Sequence, residues 1–208
     1  MITQAELNNA SKIIAGGGIV ILPTDTIYGL SCDPENKKAL ERLDGLKGRD
    51  KKPYIILDSS HDRLGKYIRL NKFVLSFISY ISENGLWPGN ITVVAGKNPE
   101  IKYSFLKDSS KIAVRLTDFY TIKHITDSLG GGIVSTSVNA SGGESLNDPD
   151  LIIKTWGDKA DLILKGECSG NRASTIVELF TDEEAIKFLR STDNYIITKI
   201  KNKFREIE

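Results

Sequence analysis

Small hydroxyl residues and cations recur in this chain where apolar runs end, and their types and spacing are what could carry chemistry. The β-branched run Ile19 to Leu22 reads as a buried strand and stops on PTDT, which exposes the hydroxyl of Thr24. LKGRDKKP places Lys47 and Arg49 two apart, just past a predicted helix, on a loop containing Gly48. STSVNASGGES sets Ser135 and Ser137 on one side of a strand end, with Asn139 following in a run of small residues. NRASTIVEL puts Ser174 directly before another strand, and KFLRS ends a strand on Arg190. Arg115 lies within IAVRL, among Ile112, Ala113, Val114 and Leu116. If it points inward it must meet an anion, either an internal Asp or Glu or a ligand carboxylate gripped bidentately.

Each stretch also has a plainer reading. PTDT fits a turn, Lys47 to Lys52 a solvated loop, and the Ser135 segment a turn-rich connection. Taken together they describe a pocket rich in neutral donors and fixed cations, with little acid. Such a pocket suits a substrate with several negative charges, for example a nucleoside triphosphate beside a carboxylate.

Other chemistries find no support. There is no G-x-x-x-x-G-K-[ST], hence no P-loop. GGGIV occurs twice, at Gly16 and Gly130, each time between a predicted helix and the next strand. A dinucleotide fingerprint needs the opposite order, so both runs read as helix terminators. The two histidines, His61 and His124, lack an obvious triad partner, and Cys32 and Cys168 form neither a metal motif nor a disulfide framework. No metal site is expected. With 28 basic against 27 acidic residues, a dedicated nucleic-acid coat is not expected. The N-terminus lacks a signal peptide's pattern and no apolar run reaches membrane-spanning length, so the reading is a cytoplasmic protein with no membrane contact.

The elements that must position these groups alternate. Thr3 and Glu6 form a capping box ahead of a helix with Leu7, Ala10, Ile13 and Ile14 on one face. Further helices are predicted over Asn36 to Leu46, from an Asn71 cap to Gly85, from a Thr117 or Asp118 cap to Leu129, from Pro149 onward, and from Tyr195 to Phe204. Strands are predicted at 19–22, 54–57, 91–95, 111–116, 133–137, 162–164, 174–179 and 186–190. The 208 residues, 40% of them hydrophobic and without a linker or repeat, indicate one α/β (α+β) domain spanning 1–208, with a twisted mixed sheet. The C-terminal Lys199, Lys201, Lys203 and Arg205 read as a solvated helix face.

Six segments together resemble the YrdC-like family of threonylcarbamoyl-AMP synthases: GGGIVILPTDTIYGLSCDP, LKGRDKKPYIIL, LWPGNITVV, KIAVRLTD, GGIVSTSVNASGG and STIVEL. They occur in family order over about residues 16 to 190, and the ordered Lys-x-Arg and Ser-x-Asn pair is the specific part. The resemblance implies a mixed parallel and antiparallel sheet flanked by helices around a concave, positively lined cavity. It implies synthesis of threonylcarbamoyl-AMP and pyrophosphate from L-threonine, bicarbonate and ATP, with Mg2+ carried on the ATP. The product would pass to tRNA threonylcarbamoyl transferase proteins. By the same motifs, Thr24, Arg115, Ser135 and Ser174 would hold threonine, with Arg115 on its carboxylate. Lys47, Arg49, Ser137, Asn139, Ser145 and Arg190 would hold ATP, and Lys47 and Arg49 would stabilise charge during transfer. Two rivals share the fold: a module with weak RNA binding and no synthase activity, and a carbamoyl-transfer domain of a larger maturation factor.

Overall fold

The computed structural model describes residues 2–48, 54–140 and 143–207. The first helix, α1 (Gln4–Ala15), starts on the expected box: the Thr3 Oγ1 accepts from the Glu6 N–H while the Glu6 carboxylate accepts from the Thr3 N–H. Leu7, Ala10 and Ile14 are buried along one face. Asn36 caps α2 (Lys37–Lys47) and Asn71 caps α4 (Lys72–Glu83), each side chain accepting from the N–H three residues on. A single turn, α3 (Leu64–Tyr67), precedes α4. The cap of α5 (Tyr120–Leu129) departs from expectation. Phe119 occupies the cap position, and the Thr117 hydroxyl instead accepts from the Phe119 N–H in a turn. Asp148 caps α6 (Pro149–Trp156) with Pro149 in its first turn, and Asp193 caps α7 (Asn194–Lys201), which ends before the predicted Phe204.

Ten strands make one sheet among the described residues: β1 (Val20–Leu22), β2 (Gly29–Cys32), β3 (Ile55–Asp58), β4 (Ile91–Gly96), β5 (Lys111–Leu116), β6 (Ile133–Ser137), β7 (Leu162–Ile163), β8 (Thr175–Phe180), β9 (Ala185–Arg190) and β10 (Arg205–Glu206). Their spatial order is β10-β9-β8-β4-β5-β3-β6-β2-β1-β7. Parallel pairs (β3 with β5, β4 with β8) alternate with antiparallel ones (β2 with β6, β4 with β5), so the sheet is mixed as expected. Both GGGIV runs lie between a helix and a strand, α1–β1 and α5–β6, and act as terminators. Strands β2 and β10 were not predicted.

Side-chain alternation splits the core into two layers. Ile21, Leu30, Ile56 and Val134 face one way, toward α2 and α4. Val20, Leu22, Leu57 and Ile133 face the other, where α1 and α5 cover them with Leu7, Ile14, Ile122 and Ile125. No helix among the described residues is long and apolar enough to cross a membrane.

Candidate functional site

The registers show what α1 and α5 leave uncovered. Gly29 lies opposite Ser137, and Ser135 opposite both Ser31 and Ile55. Ile55 is beside Ala113, and Ala113 opposite Val94. This strip runs across five strands on one face of the sheet. With Leu57 and Arg115 one step along the strands, it floors a cavity of about 380 Å3. Thr24, Thr26 and Tyr28 form one wall; Ser174, Leu189 and Arg190 form the opposite one, and Ser145 is at the rim. A larger space of about 720 Å3 lies at the other ends of β2 and β6. It contains none of the residues predicted to do chemistry and mixes Asp33, Glu35 and Glu100 with Lys66 and Lys102.

Seven predicted residues therefore meet in one cavity although they are far apart in sequence: Thr24, Arg115, Ser135, Ser137, Ser145, Ser174 and Arg190. Lys47 and Asn139 attach to it through Ser137. The Lys47 Nζ donates to the Ser137 carbonyl and to Asn139 Oδ1, each at 2.6 Å, and the Ser137 hydroxyl donates to the same Oδ1 at 2.6 Å. Lys47 is not on the loop where it was expected. It occupies the last turn of α2, only 2% exposed, because the burial stripe Ala39, Leu40, Leu43 continues onto it. Gly48 then ends the helix in the left-handed conformation at φ 58°. Arg49 lies outside the described residues.

Two hydroxyls differ from expectation in their bonding. Thr24 lines the cavity, yet its Oγ1 donates to the Ile27 carbonyl (2.8 Å), accepts from the Thr26 N–H (3.0 Å) and meets the Thr26 hydroxyl (3.0 Å). It braces the PTDT turn as well as facing the space. Ser174 Oγ accepts from Arg190 Nη2 (3.1 Å) and pairs with Thr92 Oγ1 (2.7 Å), while Arg190 Nε donates to the Ser174 carbonyl (2.7 Å). Arg190 reaches the cavity through a bulge. The β8–β9 register jumps from Ile176–Arg190 to Val177–Phe188, so Leu189 is the extra residue, and both Leu189 and Arg190 line the same space.

Arg115 is buried to 5% exposure, as the apolar run around it predicts. Of the two anions left open for it, the structure supplies the internal one. Asp25 Oδ1 lies 3.2 Å from its Nη2, and the Thr26 hydroxyl accepts from its Nη1 at 2.7 Å. Burial pulls the guanidinium below its ordinary range, and Asp25 opposes that pull. Burial likewise lowers Arg190, with Arg115 adding repulsion, which places the two cations in one electrostatic neighbourhood. Among the described residues no carboxylate lines the cavity, and no group of three or more potential ligands could hold a metal ion. Glu178, in STIVEL, is tied to Lys111 at 2.7 Å and stays out of the cavity.

Sequence reading passed over the frame around these groups. The Tyr28 hydroxyl donates to the Gly166 carbonyl (2.5 Å) and accepts from its N–H (2.9 Å), stapling the wall to the segment after β7. Gly29 admits Ser135: a Cβ there would lie 2.3 Å from Ser135 Oγ. Neither contact has a local sequence signal. Asp25 does have one, a carboxylate in the same turn as predicted ligand hydroxyls, but it reads equally as turn punctuation.

The family model described as Sua5/YciO/YrdC, telomere recombination, matches residues 12–192. A threonylcarbamoyl-AMP synthase of Vibrio campbellii is 28% identical over 174 residues, 83% of this chain and 93% of that protein. Another, from Psychromonas ingrahamii, is 28% identical over 181 residues, 86% and 94% of the two chains. Among solved structures, E. coli YciO superposes with a TM-score of 0.80 at 25% identity, covering 91% of this chain and 90% of its own. P. abyssi Sua5 complexed with L-threonine gives 0.84 at 23% identity over 100% of this chain and 60% of that one, a likeness of fold. With the model match extending over nearly its whole length, the chain belongs to the Sua5/YciO/YrdC family.

Proposed function

We propose that this protein is a threonylcarbamoyl-AMP synthase, a nucleotidyltransferase that joins L-threonine, bicarbonate and ATP and releases pyrophosphate. The observation that carries the reading is the convergence of buried Arg115, Arg190 and the β6 hydroxyls on one cavity, in a chain whose relatives bear that name.

In this reading Arg115 takes the threonine carboxylate, flanked by Thr24, Ser135 and Ser174. A guanidinium in a dry site holds a carboxylate more firmly than it does in water. The triphosphate lies toward Ser137, Ser145 and Arg190, with Lys47, Asn139 and Arg49 at the phosphates. The neutral threonine amine attacks carbon dioxide, releasing a proton to solvent, or bicarbonate with loss of water, and either route gives an N-carboxylate. That carboxylate attacks the α-phosphate and pyrophosphate leaves. Charge grows on phosphate oxygens, so fixed cations are the useful catalysts and little general-base chemistry is needed. The hydrogen bonds from Lys47 to Ser137 and Asn139 fix its ammonium before substrate arrives. Mg2+ would arrive with the nucleotide and would offset its negative charge, since no carboxylate lines the cavity among the described residues. The product is a reactive mixed anhydride, so a transferase acting on tRNA is the expected consumer.

The test is pyrophosphate release from ATP with threonine and with bicarbonate each omitted in turn. Release that needs both supports the synthase. RNA binding that falls steeply with salt, without turnover, favours the RNA-binding reading instead.

A further inference from the structure

Asp25 and Arg115 are an under-satisfied pair. Both Asp25 carboxylate oxygens and the Arg115 Nε are buried without a hydrogen-bond partner among the described residues, although Oδ1 and Nη2 are 3.2 Å apart. A buried ion pair normally survives only when its remaining donors and acceptors are met. Here they are not, while Arg115 lines a cavity that Asp25 itself does not line. Asp25 is gripped from behind. The Ser169 hydroxyl donates to its carbonyl at 3.1 Å, and a Cβ on Gly170 would lie 2.8 Å from that same oxygen. The Asp25 backbone is therefore held in place, with its carboxylate next to Arg115 and off the cavity lining.

We infer that Asp25 is a positioning residue: from behind the wall it anchors Arg115 by Nη2, Thr26 anchors it by Nη1, and the unclaimed Nε–H is left for the carboxylate of the amino-acid substrate. The inference rests on the reading under Proposed function, in which Arg115 meets that carboxylate. Three observations carry it. The guanidinium plane is set by two residues of one turn, Asp25 and Thr26. Its Nε is the donor that nothing described in the protein uses. Arg190, which also lines the cavity, is already repelled by Arg115, and the Asp25 charge is what offsets the cost of holding Arg115 charged beside it. Asp25 thus keeps Arg115 in place without occupying the site.

The experiment compares wild type, Asp25→Asn and Asp25→Glu in steady-state pyrophosphate release, varying threonine and ATP separately. The amide keeps the shape and loses the charge. For Asp25→Asn the expected result is a threonine KM raised about tenfold, with the ATP KM within about twofold and kcat retained at saturating threonine. Asp25→Glu, which keeps the charge one methylene further out, falls between the two. An unchanged or tightened threonine KM in Asp25→Asn overturns the inference, since it makes Asp25 a bystander or a competitor for Arg115. Equal losses for threonine and ATP overturn it too, because a merely structural role does that. If the amide variant does not fold, Asp25→Glu decides alone: a selective rise in threonine KM is expected, and wild-type behaviour contradicts it. Wild-type protein that needs no threonine for turnover sinks the proposed function first; a threonine-dependent wild type with an unaffected Asp25→Asn sinks only this inference.

Discussion

Placing Arg115 in the middle of a sheet takes a charge out of water, and that cost is met only if its donors find partners. Two partners come from the PTDT turn and a third is assigned here to the substrate. Arg115→Ala should therefore have two separable effects. It should weaken threonine binding more than ATP binding, measured by calorimetry with each ligand in turn; equal losses would make Arg115 purely structural. It should also lower stability by about 3–5 kcal/mol, because Asp25 is left as a buried, unpaired carboxylate. Arg115 was legible in the sequence, since an arginine inside IAVRL has to be explained. Asp25 was not, because a short acidic residue after proline is common in turns and only the fold puts it 3.2 Å from Arg115. Lys47 was expected on a loop, since a lysine next to glycine reads as solvated until a buried stripe along the helix carries it inward.

Helices were the easy elements to read. Capping residues mark their starts and glycines their ends, and these signals are local. Strand β2 was missed for a physical reason: GLSC is short, small and without alternation, so no period betrays it. Its smallness is what the cavity needs. Gly29 faces Ser137 in register, and a side chain there would strike Ser135 Oγ at 2.3 Å. Gly29→Ala should push Ser135 off its rotamer or open the β2–β6 pair. The expected cost is about 1–3 kcal/mol, seen as a Tm lower by several degrees, together with a raised threonine KM. A variant with unchanged Tm and KM would mean that the cavity floor tolerates displacement of Ser135. The bulge at Leu189 is the other feature that only the fold reveals. It turns two consecutive residues of β9 toward one space, against the alternation a sequence reader assumes.

On the scale of the whole molecule, one sheet face is divided between two tasks. Helices α1 and α5 seal one end of it into core, and the other end is left as a floor of small and hydroxyl-bearing side chains. The α/β class and mixed sheet followed from the alternation of elements, whereas the cavity depended on which strand positions the two helices cover, which periodicity does not encode. The opposite layer encloses Cys32, whose thiol burial pushes up to about 12, with Asp33 and Asp44 adding to the shift. In the unfolded chain a thiol ionises near pH 8.5, so the unfolded state loses its proton first as pH rises. The stability tied to the neutral thiol is thus complete below about pH 8.5 and is lost on the way to about pH 12. Melting at pH 8 and pH 10 should show wild type losing about 2 kcal/mol more than Cys32→Ala; equal losses would mean that the thiol ionises in the folded protein as readily as in water.

The most direct measurement on the cavity as a whole follows one carbon atom. Protein is incubated with ATP, Mg2+, L-threonine and isotopically labelled bicarbonate, and the nucleotide products are separated by mass. A threonylcarbamoyl adenylate carrying the label, formed together with pyrophosphate and absent when threonine is withheld, is the predicted result. Adenylate lacking the label, or ATP left intact with all three substrates present, would contradict the assignment of this cavity to an amino acid beside a triphosphate.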